Sequence, residues 1–125
     1  MTIESYRDLR VWQASMSLAE SCYSATRSFP KEEVFGMTSQ MRRGCVSIPA
    51  NIAEGWGRDN TGDYIHFLRI AQGSLEELET HAILAQRISL LTPDDASNLL
   101  QHCEDIGKML RALIRSLQEG RKGHA

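Results

Sequence analysis

The chain has 125 residues, room for one domain of ordinary size, and 42% hydrophobic with 24% charged residues excludes the disordered and fibrous classes. Nine glycines and three prolines are too few for an all-β fold, and no apolar run reaches the roughly 18 residues that span a bilayer. Fourteen basic against sixteen acidic side chains leave a net charge of −2 with no charged tail, so the whole molecule has no pull on nucleic acid or anionic lipid.

In chain order, apolar residues recur at steps of three and four, the helical period. The first stripe is Leu9, Trp12, Met16, Ala19, Tyr23 and Thr26, flanked by Val11, Leu18 and Cys22, and it stops at Phe29-Pro30 because proline disfavours the α conformation before it. The second is Val34, Met37, Met41, Cys45, Ile48, Ile52 and Trp56, broken by Gly55, Gly57 and the Asp59–Gly62 cluster. The third runs from Tyr64 through Leu68, Ala71, Leu75, Leu78, Ala82 and Ala85 to Leu90. The fourth is Leu99, Cys103, Ile106, Leu110, Leu113 and Leu117. These predict helices over 7–28, 34–56, 61–90 and 93–119, with 120–125 a frayed tail.

The punctuation agrees. Asn60 or Thr61 can cap the third helix, and Thr92-Pro93-Asp94-Asp95 sets a hydroxyl, a first-turn proline and two acids at the start of the fourth. Four helices with short connections pack best as an all-α, antiparallel, up-down-up-down bundle of a single domain. Pro49 should kink the second helix by removing a backbone donor. Gly44, Gly73 and Gly107 suit close helix approach. The two stripes of the first helix exceed one buried seam, and a surplus apolar face marks a protein interface.

Chemistry finds little to use. A di-iron bundle needs Glu-x-x-His on two helices, but only Asp63-x-x-His66 has comparable spacing, so no metal or cofactor is expected. No nucleophile elbow, phosphate loop or His-Glu-x-x-His occurs, and the chain is expected not to be an enzyme. Cys22, Cys45 and Cys103 are odd in number and sit beside apolar neighbours, as buried reduced thiols do. Counting outward from the turn near Asp59, Arg42 falls level with Glu76, which predicts an interhelical ion pair for Arg42 or Arg43 with Glu76, Glu77 or Glu79. On the fourth helix Lys108, Arg111, Arg115 and Lys122 share a face, the kind of stripe that could follow a phosphate backbone. The start of the chain, with Glu4, Arg7 and Asp8, lacks a signal-peptide pattern, so a cytoplasmic location without membrane attachment is expected.

Two stretches carry a resemblance. Phe35-Gly36-Met37-Thr38-Ser39-Gln40-Met41-Arg42-Arg43 and Ser47-Ile48-Pro49-Ala50-Asn51-Ile52-Ala53-Glu54-Gly55 resemble the bacterial family of proteins encoded within intervening sequences of large-subunit ribosomal RNA genes. Tyr6–Trp12 and the Phe67–Ala71 and Gly73–Glu79 runs match too. The family is related to the accessory variability-determinant proteins of diversity-generating retroelements. The resemblance implies a ring-shaped homo-oligomer, typically a pentamer, without catalytic activity. It also implies partners such as structured RNA or a nucleic-acid-handling protein, a reverse transcriptase among them. The alternative is a purely protein-binding module in which Arg42, Arg43, Asn51 and Glu54 hold helices or subunits together.

Overall fold

The computed structural model describes residues 2–123, with side chains as far as Gly120. Four helices, α1 (Arg10–Thr26), α2 (Met37–Trp56), α3 (Thr61–Arg87) and α4 (Pro93–Gly123), make up the fold, and no strand occurs among the described residues. Each helix touches two neighbours: α1 lies against α2 and α4, and α3 against α2 and α4. No described helix is long and apolar enough to cross a membrane.

The helix starts follow from local chemistry. Asp8 accepts the amides of Glu4 and Ser5 at 2.9 and 3.2 Å, drawing Tyr6–Asp8 into a separate 3-10 turn, and Leu9 is extended. So α1 begins at Arg10, later than the predicted residue 7. Glu33 accepts the Met37 amide at 3.0 Å and caps α2 from within a second 3-10 turn, Lys31–Glu33. That leaves Val34 and Phe35 outside the helix predicted to start at 34. Asn60 caps α3 through the Asp63 amide at 2.8 Å, and Thr92 caps α4 through the Asp95 amide at 3.1 Å.

Three helix ends differ from expectation, and the first is α1, which stops at Thr26 instead of 28, where the Arg27 amide turns to the Ser24 carbonyl. The third helix stops at Arg87 instead of 90, because Ser89 adopts φ 65° and the amides of Leu90 and Leu91 both bond the Ala85 carbonyl. The reversal tucks Leu91 into the core, 3% exposed. The fourth helix runs past 119 and through Gly120 to Gly123, since a glycine that stays helical weakens a helix without ending it. The rest of the predicted tail, 124–125, lies outside the described residues.

The core is built from Leu18 and Cys22 of α1, Met41, Ile48 and Ile52 of α2, Leu68 and Leu78 of α3, and Leu99, Ile106 and Leu110 of α4, nearly all without exposure. On α1 the buried face is Val11, Ser15, Leu18, Cys22 and Thr26, while Met16 and Tyr23 are exposed. The flanking residues therefore form the seam, and the predicted main stripe turns partly outward. Ser15 and Thr26 enter the core because their hydroxyls bond carbonyls one turn back, Val11 at 2.7 Å and Cys22 at 2.9 Å.

Candidate functional site

At the seam between α2 and α3 the two helices approach closely at Gly55. A Cβ at Gly55 would lie 2.9 Å from the Phe67 Cβ and 3.0 Å from the Tyr64 ring, so only glycine fits. Further along, Gly44 lies beside Leu78, and Ser47 and Ser74 share a 2.8 Å hydroxyl hydrogen bond. Residue numbers thus fall on α2 as they rise on α3. Asn51 donates to the Ser47 carbonyl at 2.8 Å and to its hydroxyl at 3.0 Å, which makes it a brace for the Ser47–Ser74 link. Glu54 pairs with Arg58, whose guanidinium sits 4.6 Å from the Phe67 ring centre on α3. Gly73, grouped from sequence with the close-approach glycines, has nothing within 4 Å of where its Cβ would be.

On the opposite side of α2, Arg42 reaches α1. Its Nε donates to Thr26 Oγ1 at 2.9 Å, and its guanidinium stacks over the Tyr23 ring at 4.6 Å. The predicted ion pair of Arg42 or Arg43 with Glu76, Glu77 or Glu79 does not form; Arg42 links helices, but through α1. Level along the helix is as expected; the face differs for Arg42, whereas Arg43 shares a groove with Glu77 across the α2–α3 seam without an ion pair forming. Arg43 is exposed and has no ion-pair partner among the described residues. Around these two arginines runs a groove of about 600 Å³ lined also by Tyr23, Val34 and Val46. Beside Val34, Phe35 is 97% exposed. Phe35 belongs to the Phe35–Arg43 family run but not to the apolar stripe of the second helix. Its signal was an aromatic next to Gly36 in a connection, where no core seam continues.

Between α3 and α4 lies a second groove of about 440 Å³, lined by Leu75, Ile83, Leu100 and Gly107 and by Glu76, Glu79, Glu104 and Arg111. Partial burial, with the charges of Glu76 and Glu104 beside it, raises the Glu79 pKa; Arg111 opposes the rise. Of the predicted basic stripe, Lys108 pairs with Glu104 at 3.5 Å, Arg111 enters this acidic groove, and Arg115 is exposed. The Lys122 side chain lies outside the described residues. The three cysteines are free and buried. A hydrogen bond to Cys45 and burial push the Cys22 thiol up, and burial pushes Cys103 up to about 12. Among the described residues no three His, Cys, Asp or Glu side chains are grouped to hold a metal.

The profile of the 23S rRNA-intervening sequence protein family matches residues 7–112. The chain belongs to that family. A crystal structure of a protein of unknown function from the S23 ribosomal protein family of Bacteroides thetaiotaomicron VPI-5482 is similar, with 26% identity and a TM-score of 0.75, covering 83% of this chain and 97% of that one. No curated protein matches. In this 23S rRNA-intervening sequence protein the Ser47–Gly55 run is occupied with helix packing. Ile48, Pro49 and Ile52 are buried, Ser47 and Asn51 brace α3, and Gly55 admits Tyr64 and Phe67.

Proposed function

We propose that this family member is a non-enzymatic, homo-oligomeric scaffold or accessory protein of the cytoplasm, its four helices alternating up-down-up-down and its copies closed into a ring, a pentamer by family resemblance. One observation carries this reading. The interior is filled by its own side chains, while Val34, Val46 and Tyr23 line an outer groove with Arg42 and Arg43, and Phe35, next to Val34 in the chain, is exposed. An exposed aromatic with aliphatic neighbours and arginines has the composition of an interface centre. Light scattering over a range of concentrations tests it. A mass several times 14.1 kDa is expected. A monomer at every concentration would contradict it.

Arg115 favours a second activity of the same scaffold, contact with structured RNA or an RNA-handling protein such as a reverse transcriptase. It is exposed on α4 without an ion-pair partner among the described residues, and a ring repeats it once per copy. The family's name ties it to intervening sequences of 23S rRNA. Binding to a structured RNA should appear at low ionic strength and weaken steeply as salt rises. Absence of binding even at low salt would leave the protein-binding role alone.

A further inference from the structure

We infer that copies of the chain join through two unlike faces: the apolar, arginine-bearing α1–α2 face of one copy docks on the carboxylate-lined α3–α4 groove of the next. This rests on the self-association proposed above and names its partner surfaces.

Position is the first support. Each helix touches only its two neighbours, so the α1–α2 and α3–α4 faces lie on opposite sides of the bundle. They also lie at one height. Gly44 sits beside Leu78, and Ser47 bonds Ser74, which sets the first half of α2 level with the stretch of α3 that lines the groove. Copies packed side by side therefore bring one face to the other without sliding along the axis.

Charge is the second. The lining of the α1–α2 groove holds Arg42 and Arg43 and no carboxylate, although Arg43 also borders a smaller groove with Glu77 toward α3. The lining of the α3–α4 groove holds Glu76, Glu79 and Glu104 against a single Arg111. Arg43, Glu76 and Glu79 make no ion pair among the described residues, so each side carries the charge the other lacks. Apolar surface is the third. Phe35 does no packing in its own chain at 97% exposure, and Ile83, 42% exposed, waits on the opposite groove beside Leu100. Burying one phenylalanine removes roughly 150–250 Å² from water. RNA would be repelled by the carboxylates and would cover one face only. Because the two faces differ, the contact is head-to-tail in kind, closing into a ring where the rotation between copies allows.

Sedimentation velocity on the full chain and exposed-residue variants tests this, with circular dichroism to show that each variant keeps its helices. Arg43→Glu, Glu76→Arg and Phe35→Ser should each raise the concentration at which the assembly half-dissociates by about 30-fold or more, as loss of an interface anchor does. The double variant Arg43→Glu/Glu76→Arg should recover most of the loss, since the swapped charges meet again across every contact. An assembled wild type whose mass is unchanged in all three single variants would overturn the inference while leaving self-association standing. So would a double variant no better than its parents. RNA binding lost in Arg43→Glu with the assembly intact would give the face to nucleic acid and equally overturn it. A wild type that is monomeric throughout would instead remove the self-association reading itself.

Discussion

Along α2 and α3 the backbones come so close that a methyl group at Gly55 would strike Phe67, whereas α3 and α4 part around a groove in which three carboxylates face one arginine. The first seam is sealed by a serine pair, an asparagine brace and a guanidinium over an aromatic ring, all made within the chain. The second pairs Glu104 with Lys108 but leaves Glu76 and Glu79 without an ion pair among the described residues and Ile83 exposed. The difference separates two uses of polar residues. Those of the Ser47–Gly55 run serve the fold, whereas Arg43, Glu76 and Glu79 make no ion pair among the described residues and are the groups proposed above to meet a second copy.

The comparison can be broken at its sealed side first. In a Phe35→Ser background, held below the concentration at which that variant assembles, Gly55→Ala is expected to cost about 1–3 kcal/mol in urea denaturation, because Tyr64 and Phe67 must move. A change near zero would mean that the seam is looser than described. Arg42→Ala should cost about 1–2 kcal/mol through the lost Thr26 bond and Tyr23 stacking. Glu76→Ala should stay within about 0.5 kcal/mol, as an unpaired surface residue does. A double-mutant cycle then gives coupling for Arg42 with Thr26 and none with Glu76.

Smaller effects probe the open positions. Gly73→Ala should stabilise by about 0.5–1 kcal/mol, since nothing lies within 4 Å to oppose the new methyl. Ser89→Gly should gain about 1 kcal/mol by relieving a left-handed residue. The smallest effect is a pH dependence. Glu79 has its pKa raised in the fold, so its contribution is favourable below the ordinary glutamate range and is lost as pH rises through the folded value. Glu79→Gln should therefore raise the melting temperature at neutral pH and not below that range.

Much of this was legible in the residues. The three- and four-residue steps located four helices, and Asn60 and Thr92 marked two starts, because capping and periodicity are local properties. The buried face of α1 was not legible. Ser15 reads as polar by composition, yet it satisfies its hydroxyl on its own helix and packs inside, as Thr26 of the predicted stripe also does. Arg42 was misassigned for a related reason: level along a helix can be counted from a turn, but facing depends on rotation about the axis. Val34 began a helical pattern with Phe35 inside its predicted span, but Glu33 caps α2 at Met37, four residues on. What makes that pair a candidate interface is exposure, a tertiary property.

The most direct test is fluorine NMR of protein carrying 4-fluorophenylalanine at Phe29, Phe35 and Phe67, comparing resonance positions in light and heavy water as concentration rises. The Phe35 signal is expected to show a full solvent isotope shift when dilute and to lose it on assembly, while Phe29, 9% exposed, stays insensitive throughout. A Phe35 ring that keeps its full shift at every concentration would place that face in water and contradict its role as the joint between copies.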